Sequence, residues 1–158
     1  MTRIVTRITT RIPTRHRRRA CAAIGLVLIL TGATAATATA DVVAVVSSKS
    51  TLVTLSKDQV TDIFLGKTTR FPDGTQAIPI DQQEGTPARD EFYTKFAGRS
   101  PAQIKSHWTK IIFTGRGKPP RTAGDSLEAR KLTAMNPQAI SYLQRSEIDA
   151  SVKVLLQP

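Results

Sequence analysis

Cysteine is almost missing from this chain. Of 158 residues only Cys21 carries a thiol, and it falls within the first forty. From residue 41 onward that absence excludes disulfides, cysteine nucleophiles and cysteine-held metals. Histidine is as scarce there: His107 stands alone, so zinc lacks a ligand set and no cofactor is implied. No glycine-rich phosphate loop, paired-carboxylate motif or serine–histidine–acid arrangement occurs, so nothing in the sequence supports catalysis. Acidic residues are absent before Asp41, and the longest strongly apolar run, Ala20–Leu30, has eleven residues. That run is too short to span a bilayer, which needs ~20.

What is present falls into two parts. Residues 1–40 begin with an arginine-rich stretch, in which Thr-Arg-Ile starts at positions 2, 6 and 10. The apolar run follows, and then the small-residue tract Thr31–Ala40. This is the layout of a secretory signal peptide, with Ala38-Thr39-Ala40 as the cleavage site before Asp41. Arg17-Arg18-Arg19 adds a weak twin-arginine signal. The expected location is periplasmic or secreted, with membrane contact only during export or through an uncleaved leader. The formal charge of +11 invites a nucleic-acid reading. However, seven of the 23 Lys and Arg lie in the leader, leaving 16 against 12 acids from residue 41 on. The folded part is mildly basic, and no nucleic-acid partner is expected.

Residues 41–158 read as one α/β domain. Val42–Val46 is an unbroken β-branched run, as expected for a strand buried on both faces. Ser56 with Gln59 forms a capping box opening a helix, with Val60, Ile63 and Phe64 inward and Gly66 as its stop. Ala77–Asp81 is the next strand. Thr86 caps a helix with Pro87 in its first turn and Ala88, Phe92 and Phe96 on one face. Ser100 and Gln103 repeat the capping chemistry ahead of Ile104, Trp108, Ile111 and Ile112. Arg116–Gly124 reads as a loop, Asp125 with Glu128 opens the last helix, and Ala139–Leu143 and Ser151–Leu156 read as closing strands. Trp108 and Tyr142 are assigned to the core.

Several segments are similar to the short phosphate-transporter solute-binding proteins of the type 2 periplasmic-binding-protein superfamily. They are Leu55–Lys67, Phe71-Pro72-Asp73-Gly74, Arg89–Tyr93, Trp108 with Ile112–Gly115, Pro119-Pro120 and Ala139–Tyr142. The resemblance runs in order through essentially all of 41–158. It implies a single binding-protein-like lobe, a mixed sheet flanked by helices. It also implies a non-enzymatic protein serving a phosphate transporter. Full-length members place Ser-Gly-Thr at a strand-to-helix turn with an arginine upstream. Here Gly85 and Thr86 match, while Glu84 replaces the serine and Ile80 the arginine.

The candidate ligand residues are therefore Gly85, Thr86 and Arg89 at a helix N-terminus, where free amides and the helix dipole favour anions. Ser47 and Ser48 follow the first strand, where the family's first loop contributes hydroxyls. The expected partner is a small inorganic oxyanion, with a transporter, an envelope protein or a second copy supplying any facing wall. The alternative is an envelope interaction module that keeps the lobe and binds no solute. The cationic loop Arg116, Lys118 and Arg121 could guide anions or dock a partner, or be merely solvated.

Overall fold

In a computed structural model, residues 41–156 are described. The proposed leader, its cleavage site and Cys21 lie outside them. Val42–Ser47 forms β1, every residue of which is buried. Its pleat explains the unbroken apolar run. Val42, Ala44 and Val46 enter one core cluster, and Val43 and Val45 enter another on the opposite face.

The remaining elements are α1 (Lys57–Phe64), β2 (Ile78–Gln82), α2 (Pro87–Ala97), α3 (Pro101–Phe113), β3 (Arg121–Ala123), α4 (Ser126–Met135), β4 (Ala139–Gln144) and β5 (Val152–Leu156). The five strands form one sheet in the order β3-β2-β4-β1-β5. β2 runs parallel to β3 and β4, whereas β1 runs antiparallel to β4 and β5, so the sheet is mixed.

Helices cover both faces. α1, α2 and α3 contribute to the larger cluster, whose centre is aromatic. Phe92 stacks on Tyr142 with centroids 4.0 Å apart, and Phe64 meets Phe92 edge-on at 4.8 Å. α4 covers the other face through Ala129 and Leu132. The local signals act as read. Ser56 and Ser100 each accept the N–H three residues on, and Gln59 and Gln103 answer by accepting the serine N–H at 2.8 Å. Gly66 follows α1 at φ +69°, and a Cβ there would lie 2.8 Å from the Trp108 ring, so only glycine leaves room for the indole.

Three expectations change. The segment Arg116–Gly124 is not wholly loop: Arg121–Ala123 pairs with Ile80–Gln82 as β3. This three-residue edge strand is set by its neighbour, because its own sequence carries no alternation. Ile112 is 54% exposed instead of joining Ile104 and Trp108 in the core. Thr86 occupies the N-cap position of α2, yet its side chain makes no capping bond.

Candidate functional site

The five residues singled out from sequence do not converge. Gly85 sits in an exposed turn at φ +89°, with open space where a Cβ would be. The Thr86 hydroxyl and N–H both donate to Gln83 O, at 2.9 and 3.2 Å. Pro87 has no N–H, and the N–H groups of Arg89 and Asp90 both donate to Thr86 O. None of these four positions holds an amide free for a ligand.

Ser47 and Ser48 lie at the far end of the sheet. Val46 pairs with Ile140, and Ile140 pairs with Pro79, so the C-terminal end of β1 lies beside the N-terminal end of β2. Gly85 follows the opposite end of β2, roughly 15–20 Å away at ~3.3 Å per residue. No single small oxyanion touches both pairs. Ser47 is buried, donating to Ala134 O at 3.1 Å and accepting from Lys49 N–H, which locks the strand end. Ser48 is exposed and donates its N–H to Ser151 O.

Arg89 is where chemistry gathers. It turns inward from α2 and is 8% exposed. Its Nε donates to Asp81 Oδ2 at 3.2 Å, at the end of β2. Tyr93, one turn along α2, donates its hydroxyl to the same oxygen at 2.9 Å. The Tyr142 hydroxyl from β4 and the Gln82 N–H donate to Asp81 Oδ1. Four donors thus saturate one buried carboxylate, the arrangement a buried charge requires. Burial, reinforced by the charge of Asp81, pushes both tyrosine hydroxyls well above their usual range. Gln82 extends the network: its Nε2 donates to Tyr142 O, and its Oε1 accepts from Ser126.

Beside this network lies a cavity of ≈230 Å³. Asp81, Gln82 and Arg89 form one wall, Trp108 and Thr109 of α3 another, and Thr122 of β3 a third. Glu84 and Lys105, ion-paired at 3.2 Å, also line it. Trp108 separates it from a neighbouring cavity of ≈240 Å³, which it lines as well. Two buried donors have no protein partner, Arg89 Nη1 and Trp108 Nε1, and both belong to residues of the ≈230 Å³ cavity. The indole N–H approaches the Tyr93 hydroxyl without reaching hydrogen-bond geometry. Unpaired buried donors are costly, and a ligand that suits these two must offer acceptor atoms. Among the described residues no group of three His, Asp or Glu is placed to hold a metal ion.

Sequence reading selected Arg89 but missed Asp81, Tyr93 and the position of Trp108 on the cavity wall. One signal was available: Asp81 is an acid directly after the apolar residues Ile78, Pro79 and Ile80 in the expected strand, where a buried charge demands a partner.

No family model matches the chain, and neither does any curated relative. Solved structures do. The chain is similar to a phosphate ABC-transporter substrate-binding protein assigned in Clostridium perfringens and determined with bound phosphate, at 18% identity and a TM-score of 0.59. That match covers 73% of this chain and 44% of the other. It is also similar to an ABC-type phosphate transport receptor from Vibrio cholerae, at 15% identity and a TM-score of 0.58. Here 73% of this chain and 45% of that one are covered. The chain spans less than half the length of these proteins. At this identity the likeness shows the fold, a periplasmic-binding-protein-like lobe.

Proposed function

We propose that this is an exported, non-enzymatic solute-binding protein of the cell envelope whose lobe takes a small oxyanion of the phosphate class. The ligand site is the cavity beside Arg89, and a transporter or receptor is the downstream partner. The observation that carries this reading is the guanidinium of Arg89, tied to Asp81 through Nε, without a protein partner at Nη1, and on the wall of a cavity. An oxyanion offers several acceptors to such a group. The likeness to two phosphate-transport proteins agrees in ligand class.

Affinity follows from the count of contacts. Micromolar capture needs roughly 8 kcal/mol. A charge-assisted hydrogen bond contributes a net ~1.5–3 kcal/mol, before the costs of association. Asp81 already neutralises much of the charge on Arg89. One open lobe therefore binds weakly, in the sub-millimolar to millimolar range.

Calorimetric titration of the purified protein with phosphate and sulfate tests this. Heat of binding is expected, together with a rise in melting temperature of about 5 °C at tenfold saturation. Absence of both at about 10 mM oxyanion, tenfold the weakest affinity expected, would rule out solute capture.

A second reading is favoured by Glu84 and Ile80, which stand where the resembled family has serine and arginine, and by Thr86, whose hydroxyl and N–H are both turned to Gln83 O. On that reading the lobe binds a protein partner or a second copy and no solute. A strictly monomeric protein with no cross-linked envelope partner would count against it.

A further inference from the structure

Sequence reading confines membrane contact to the leader. The folded part adds a second surface. Between Glu91 and Asp125 the chain carries seven Lys and Arg and no acid. The rest of 41–158 holds nine Lys and Arg against 12 acids, so the positive charge is gathered on one segment. That segment is the end of α2, all of α3 and the loop that follows. Lys95 is paired with Glu91 and Lys105 with Glu84. Arg99, Lys110, Arg116, Lys118 and Arg121 make no ion pair among the described residues.

Shape and polarity add to charge. An open depression of ≈590 Å³ lies between the end of α2 and α3, lined by Arg99, Gln103, Ser106, His107 and Lys110, with no carboxylate among its lining residues. One turn beyond it, at the end of α3, Phe113 is 87% exposed and its neighbour Ile112 54%. At 100° per residue, Ser106, Lys110 and Phe113 fall within about 60° of arc on the outer side of the helix. A polar hollow roomy enough for phosphate groups and a protruding aromatic thus share one face.

We propose that this face docks the protein onto an anionic phospholipid surface. Headgroup phosphates sit in the Arg99–Lys110 hollow, and Phe113 enters the interfacial layer. Free phosphate or nucleic acid would answer the cations but leave Phe113 in water. A protein partner would need a pocket shaped to receive it, whereas a bilayer interface receives an aromatic side chain without one. Basic residues beside an inserted apolar side chain are the combination that anionic membranes select. The proposal stands apart from solute binding, since the hollow and the Arg89 cavity share no lining residue.

Flotation with phosphatidylcholine vesicles, with and without one quarter phosphatidylglycerol, tests it. The protein is assayed both as the full chain and without residues 1–40, so that leader contributions subtract. Recovery is expected on the anionic vesicles at low salt. It should fall at least about tenfold at half-molar salt, where screening shortens to about 4 Å. Phe113→Ser and the pair Arg99→Glu/Lys110→Glu should each weaken binding about tenfold or more while leaving the melting temperature unchanged. Equal recovery on neutral vesicles, or unchanged binding by either variant, overturns the proposal. So does binding to duplex DNA as tight as to vesicles and indifferent to Phe113→Ser, which would make the face a general polyanion site.

Discussion

At the scale of single residues, Asp81 organises the interior. It lies 61 positions from Tyr142 and 12 from Tyr93, and its two oxygens collect donors from α2, β2 and β4. An asparagine there would turn one amide NH₂ toward donors on either side and strand the charge of Arg89. Asp81→Asn is expected to cost about 3 kcal/mol, because breaking one side of a buried ion pair leaves the other uncompensated. Chemical denaturation followed by circular dichroism would read the loss directly, and a change below 1 kcal/mol would contradict the role assigned to the network. The same network makes a pH prediction. The chain has only two tyrosines, and both hydroxyls titrate above their usual value, burial being the larger cause. Unfolded tyrosine titrates near pH ~10. Above that pH the unfolded chain loses protons that the folded one keeps, so stability is full below it and declines as pH rises further. Ultraviolet difference spectra should show no tyrosinate at pH 10–11 until the protein unfolds, when both groups ionise together.

At the scale of elements, the signals that worked were local ones. The capping box of α3 needs only Ser100 and Gln103, three residues apart, and its bonds are present as the sequence implies. Ser100→Ala should therefore cost about 1 kcal/mol, visible as a lowered denaturation midpoint with an unchanged slope. The ends of β2, β4 and β5 were legible to within one residue from runs of apolar residues. β3 was not, since Arg121-Thr122-Ala123 acquires its strand geometry from the ladder of β2. Thr86 shows the converse. It has the right residue at the right place, but the preceding turn takes its hydroxyl for Gln83 O. The cap is lost because two local partners compete for one group.

At the scale of the whole molecule, the sheet order decides which residues can cooperate. Because β1 is antiparallel to β4 and β4 parallel to β2, Ser47 and Gly85 stand at opposite ends. Proximity in a motif does not survive that topology. The positive segment behaves differently: its charge is contiguous in sequence, so a count of acids locates it before any coordinate does, and the fold then brings Arg99 and Lys110 to one hollow. The amino-acid order by itself determined the helix starts and the strand buried on both faces, since each depends on neighbours a few positions apart, and composition alone left residues 41–158 without a thiol. Tertiary structure alone decided that Arg89 faces Asp81 and not the start of its own helix, and that Trp108 walls a cavity. Those outcomes rest on hydrogen bonds and packing between segments up to 61 residues apart, whose pairing is selected only when the entire sheet closes over its core.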